Sequence, residues 1–261
     1  MPPFKKSGAL NIQGGRNIVL VGGHITIPSS LRANNGQTVS CNSLGNRSSD
    51  YPYHSYCRAV YISDAKGTVH IEGLLIDNSG GSDMDAFAIN APDAIVQLQH
   101  IRVDKVTGNQ TNWHGDIVQP WGGVRSLRID RFTGYTDYQG LQIATDPSVG
   151  RTVNEVLISN TNISGNGNYK IWTAYGSGSS CTFPKNMSFN NVWINGGSRG
   201  LGKSVWPEVG STRCGQVSIQ NDQVIWSNAN QSGGPRLQNS TFKDFVSNSA
   251  VGTNYKSPGY N

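Results

Sequence analysis

Apolar residues along this chain recur in a fixed eight-residue pattern: apolar, x, apolar, x, x, apolar, x, apolar. VHIEGLLI (69–76) shows it in full. VQLQHIRV (96–103) and MSFNNVWI (187–194) repeat it, as do LRIDRFTG (127–134), with Gly134 in the last slot, and VLISNTNI (156–163), with Thr161 in the third. An earlier copy, IVLVGGHI (18–25), places Gly23 in the third slot, and a weaker echo begins at Val217 in VSIQ. From Val69 the starting points step by 27, 31, 29, 31 and 30 residues, a period that marks a repeat architecture.

Each apolar-x-apolar half predicts a short strand with alternate side chains on one face. The two middle residues predict a bend. Its second position is Gly22, Gly73, Asn160 or Asn191 in four of six copies. Gly and Asn are the residues that most readily take a left-handed backbone. A third strand precedes each copy: AVYIS (59–63), AFAIN (86–90), DIVQ (116–119), GLQIA (140–144) and IWTA (171–174). The prediction is therefore all-β: a right-handed parallel β-helix of about seven coils, three strands per coil, filling 1–261 as a single domain. From Ser204 onward the pattern loosens, as expected of a cover over the last coil. A β-sandwich would require hairpin signals at tighter spacing.

Composition narrows the partner. Only 14% of residues are charged and 36% hydrophobic. That polarity without charge suits a turn-rich β protein rather than a disordered chain. The balance of 21 basic against 16 acidic residues, a formal +5, favours acidic partners. FKK (4–6) is the one basic run, and no basic stripe of a nucleic-acid binder is present. No apolar stretch is long enough for a membrane-spanning helix. Residues 1–10 lack a signal-peptide core, so an exported form implies a leader already removed. Cys41, Cys57, Cys181 and Cys214 match no zinc module. They predict two local disulfides, Cys41–Cys57 and Cys181–Cys214, in a secreted or surface protein, the alternative being four buried thiols.

GTVHIEGLLID (67–77), HGDIVQPWGGVRSLRIDRFTG (114–134), TDYQGLQI (136–143) and SPGY (257–260) together resemble bacterial right-handed parallel β-helix proteins of the pectate-lyase-like group. The likeness covers nearly the whole chain and implies a carbohydrate partner and export. The NTDG, GHG and RIK motifs of polygalacturonases are missing, as are the DPH motif of alginate epimerases and the Arg-centred pattern of pectate lyases. The chemistry must therefore come from this chain's own residues.

The densest candidate stretch is NWHGDIVQPWGG (112–123). With neighbouring coils stacked, His114, Asp116, Asp137 and Tyr138 are expected to converge, with Lys170 one coil further. For β-elimination from an acidic polysaccharide, Lys170 or a nearby Arg neutralises the carboxylate, His114 is the base and Tyr138 the acid. For glycoside hydrolysis, Asp116 and Asp137 form the carboxylate pair, with Asp146 in reserve. Capping of turn amides is the structural alternative for both Asp residues. Gln119, Trp121, Gln142 and Trp172 are the expected sugar contacts, Ile117, Gln142 and Trp172 sharing one column. Trp172 packed under a loop is the alternative. Neither reaction requires a cofactor, although Ca2+ fits carboxylates and amide carbonyls on adjacent rungs. A third reading is a monomer or tail-spike-like trimer that binds glycans without cutting them.

Overall fold

The computed structural model describes residues 3–32, 36–43, 55–143, 145–166, 169–173, 181–238 and 244–259, with Val149, Trp172 and Thr173 described in their backbone alone. The fold is a parallel β-solenoid of three sheets around one apolar core. The first sheet stacks Leu10–Gln13, Arg58–Ser63, the start of the long strand Asp85–Val106, the start of Val118–Thr136, then Leu141–Gln142, Trp172–Thr173 and Val205–Trp206. The second stacks Arg16–Val21, Lys66–Glu72 and residues 94–99, 126–130, 155–159 and 186–190, ending at Gln231–Ser232. The third runs from Lys5–Ser7 through His24–Thr26 and Leu75–Asp77 to Arg236–Leu237.

The regular solenoid amounts to about four turns, not the seven that the repeats predict. Its ends account for the difference. The last rungs, Val205–Trp206, Gln231–Ser232 and Arg236–Leu237, shrink to two residues each. The echo at Val217 is no rung: Val217–Gln220 pairs antiparallel with Gln223–Trp226. That hairpin buries Val217, Val224 and Trp226, with the Trp226 ring 6.5 Å from Phe189. It thereby covers an end of the core that would otherwise face water.

The template slots form the interior rows. Val69, Ile71, Leu74 and Ile76 are fully buried, as are Val96, Leu98, Ile101 and Val103 one turn on. Each such side chain contributes about 1.5–3 kcal/mol when removed from water. Gly134 breaks the rule for a steric reason: a Cβ there would stand 2.9 Å from Ile117, 3.0 Å from Ile163 and 3.1 Å from Phe132. The bend slot is left-handed in all six copies, at Gly22, Gly73, His100, Arg131, Asn160 and Asn191. His100 and Arg131 hold that backbone without the ease of Gly or Asn. Asn191 donates to Asn160, and Asn160 to Asp130, so a polar ladder runs along the outside of the bend.

A strap made of residues 244–259 returns along this edge. Asp244 bonds Arg102, Tyr135 and Asn162, while the Tyr255 hydroxyl and Ser257 donate to Glu72, whose other neighbour is His70 at 3.1 Å. Burial disfavours the Glu72 charge, but the bonds from Tyr255, His70 and Ser257 outweigh it, so its pKa lies below the usual glutamate value. A depressed carboxylate contributes stability above its unfolded pKa and loses it as pH falls through the folded one. Acidification is therefore expected to release the strap, and Glu72→Gln to release it already at neutral pH. Hydrogen exchange of residues 244–259 reads both; unchanged protection in either case contradicts the anchor role.

Candidate functional site

NWHGDIVQPWGG begins on a loop folded by its own polar residues. Asn109 Oδ1 accepts from the amides of Thr111 and Asn112, and its Nδ2 donates to Asp83. Gly108 and Gly115 let two backbones touch: a Cβ on Gly115 would stand 2.0 Å from the Thr107 carbonyl oxygen, and one on Gly108 2.2 Å from the Gly115 nitrogen. Trp113 is buried against the Cys41–Cys57 disulfide, with Leu31 alongside. Both predicted disulfides are formed, and such bonds belong to an oxidising environment.

Three ionisable residues, Arg58, Asp85 and Asp116, stack on successive rungs beneath this loop. Asp85 lies beside Arg58 in register, and the Asp116 amide donates to Asp85 Oδ1 at 3.1 Å. Arg58 Nε approaches Asp85 Oδ2 at 3.6 Å, and its guanidinium carbon lies 4.7 Å from the Tyr61 ring, 5.2 Å from Trp121 and 5.6 Å from Trp113. An aromatic surround is a favourable place for a partly dehydrated cation. Both carboxyl groups are buried. Burial pushes Asp85 up to about 6 against the pull of Arg58, the Asp116 amide and Trp113. Asp116 rises well above the carboxylate range through burial and then repulsion from Asp85, eased by Arg151. Neither Asp116 oxygen has a hydrogen-bond partner among the described residues, and the same is true of the Tyr138 hydroxyl and Trp121 Nε1. Asp116 is thus best described as a buried neutral acid.

The other predicted residues are distributed as follows. The His114 ring lies 5.9 Å from Tyr138, which stacks on Tyr169 at 4.6 Å, and His114 Nε2 is 3.0 Å from the Gln110 carbonyl. Tyr138 holds its proton more tightly than a free tyrosine, through burial first and then its neighbours Tyr169 and Asp116. Asp137 accepts from Asn166 at 3.2 Å, while the carboxylate that perturbs Asp116 is Asp85. Lys170 is bonded to Glu208 and sits 5.3 Å over the Trp206 ring. Asp146 caps a short turn by accepting from Ser148.

The column proposed for Ile117, Gln142 and Trp172 is not formed: the three fall in three neighbouring columns, Ile117 and Gln142 two apart. Val118 pairs with Leu141, and Leu141 with Trp172. At the corner entering the 141–142 strand the Gly140 carbonyl accepts from both Ile117 and Val118, which sets Val118 rather than Asp116 against Leu141. The Trp172 side chain lies outside the described residues. Traced by register, one row runs through Tyr61, Ala88, Gln119, Gln142, the backbone of Thr173, and Trp206; Tyr61, Gln119, Gln142 and Trp206 are partly exposed, while Ala88 is buried. Tyr61 and Trp121 stack at its first end, ring centroids 6.4 Å apart and planes at 23°. Sequence reasoning missed Arg58, Asp85 and Tyr61. One signal was present: an Asp stands two residues before Phe87 and before Val118, residues that share a rung.

Asp116→Asn tests the neutral-acid assignment. A carboxyl group whose folded pKa is raised favours the folded state while protonated and costs stability as pH rises toward that pKa. Asn copies the neutral form, so the variant is expected to match the parent in thermal stability below about pH 4, where the unfolded carboxyl is also protonated, and to exceed it increasingly toward about pH 8. A variant that is less stable at both contradicts it. Among the described residues no group of three or more His, Cys, Asp or Glu is placed to hold a metal ion, and no helix is long and apolar enough to cross a membrane. Comparison with family models, curated proteins and solved structures returns no match for this chain.

Proposed function

We propose that this is a secreted or surface-exposed glycan-binding solenoid of the pectate-lyase-like kind, holding a polysaccharide along the outer row of its first sheet. The observation that carries this reading is the row from Tyr61 to Trp206, with partly exposed aromatic residues at both ends and partly exposed Gln119 and Gln142 between, interrupted by the buried Ala88. Five rung steps at about 4.8 Å span roughly 24 Å, room for several sugar rings end to end. Aromatic faces supply apolar area to a sugar ring, and amides answer its hydroxyls. The basic balance of the chain favours an acidic polysaccharide.

Binding is better supported than cleavage. For elimination, the cation assigned to the substrate carboxylate, Lys170, is already engaged by Glu208, and the Tyr138 hydroxyl is a weakened acid. For hydrolysis, Asp116 is sealed beneath the loop. A panel of uronans and neutral glycans tests the reading. Retained binding without turnover is the expected result, with Tyr61→Ala and Trp121→Ala each weakening affinity about tenfold, the loss typical of an anchoring aromatic. Growth of ultraviolet absorbance from unsaturated ends would establish elimination instead, and new reducing ends alone would establish hydrolysis. Full affinity in both aromatic variants would remove the row from the binding site.

A further inference from the structure

At the corner where the first sheet turns into the second, an open cleft of about 420 Å3 is lined by Arg16, Lys66 and Arg125, together with Asn17, Gly67 and Asp93. Arg16 lies beside Lys66 in register, Asp93 follows one rung on next to the Ala94–Gly67 pair, and Arg125 one rung further next to the Ile95–Ser126 pair. The four charged side chains are exposed, and among the described residues none of them has an ion-pair or hydrogen-bond partner. Five cations elsewhere, Arg58, Arg102, Arg128, Arg131 and Lys170, each meet a carboxylate.

Like charges directly opposite on neighbouring strands repel, as Arg16 and Lys66 must. Asp93 relieves part of this, leaving three positive charges against one negative, a net of +2 in the cleft. An anion entering it meets cations on three of four consecutive rungs, a span of roughly 14 Å at about 4.8 Å per rung. The cleft follows the aromatic end of the row around the corner in the chain: Tyr61 precedes Lys66 by five residues and Trp121 precedes Arg125 by four. A linear chain resting on Tyr61 and Trp121 would carry its pendant groups toward this corner.

We infer that the Arg16–Lys66–Arg125 cleft binds the anionic groups, carboxylate or sulfate ester, of a polysaccharide lying on the neighbouring row. This deepens the glycan reading and rests on it. The selectivity comes from charge repeated at rung spacing, so the cleft distinguishes a polyanionic chain from a neutral one of the same shape. Its attraction weakens as salt screens the exposed cations.

The test compares the intact protein with the triple variant Arg16→Gln/Lys66→Gln/Arg125→Gln, whose changes lie on exposed side chains and leave the core untouched. Affinity is measured for polygalacturonate, dextran sulfate and neutral dextran over a series of salt concentrations. The expected result is a loss of at least about tenfold for one or both charged polymers and a flattened salt dependence, with neutral-glycan affinity unchanged. The polymer that loses more identifies carboxylate or sulfate as the group read. Equal affinity and equal salt dependence in parent and variant overturn the cleft while leaving the row standing. Binding of charged polymers that depends on the cleft but not on Tyr61 or Trp121 sustains the cleft and overturns the row. A parent that binds none of the three overturns both. A double-stranded DNA fragment held as tightly as dextran sulfate overturns the assignment to a glycan.

Discussion

Arg58→Met is expected to destabilise the protein by about 3–5 kcal/mol, the usual cost of removing one partner from a buried ion pair. The stem of Met still fills space among Tyr61, Trp113 and Trp121, so the loss is mainly electrostatic. Asp85 and Asp116 would then share their buried site with Arg151 as the remaining nearby cation. At about 2–4 °C per kcal/mol for a chain of this size, the melting temperature should fall by roughly 10 °C. The loss should grow as pH rises through about 6, where Asp85 ionises in the parent and must do so against Arg58's absence in the variant. Adding Asp85→Leu should recover most of it, since the stranded charge is what costs. A deficit below about 1 kcal/mol, or no recovery in the double variant, would show that the Arg58–Asp85 pair contributes little.

Opening Cys41–Cys57 by the double change Cys41→Ala/Cys57→Ala is expected to cost about 3 kcal/mol through the freed unfolded chain. The bond closes a sequence separation of 16 residues. Its consequence reaches the row, because Trp113 packs on the bond and also faces Arg58, which in turn supports Tyr61 and Trp121. Loss of the bond should therefore shift tryptophan emission to the red and, on the proposed function, weaken glycan binding together with it. Denaturant titration followed by fluorescence checks both. Unaltered emission with unaltered affinity would separate the disulfide from the binding face.

The solenoid was legible in the sequence because its two determinants are local. Alternation fixes which residues face inward, and a bend slot of Gly or Asn marks where each half-rung turns. His100 and Arg131 carry the same left-handed backbone with no hint from residue type, since the neighbouring coils impose it. What depends on register was less legible. Leu141 pairs with Trp172 and Gln142 with Thr173, a register that alternation within either strand does not fix. The Val217 echo has the right alternation but folds on Gln223–Trp226, because a solenoid end needs cover more than another rung. Arg58 and Asp85 lie 27 residues apart, and Tyr255 reaches Glu72 across 183; no local pattern encodes either meeting. The motif at 112–123 holds a strongly perturbed acid, Asp116, but burial turns that acid inward, which the residue pattern does not reveal.

The measurement that bears most directly on the whole account is a crystal structure of the protein soaked with an acidic oligosaccharide. The predicted result is a chain crossing the rungs along Tyr61, Gln119, Gln142 and Trp206, its first ring against Tyr61 and Trp121 and its anionic groups toward Arg16, Lys66 and Arg125. An oligosaccharide bound on the second or third sheet, or a first sheet left bare at saturating ligand, would contradict it.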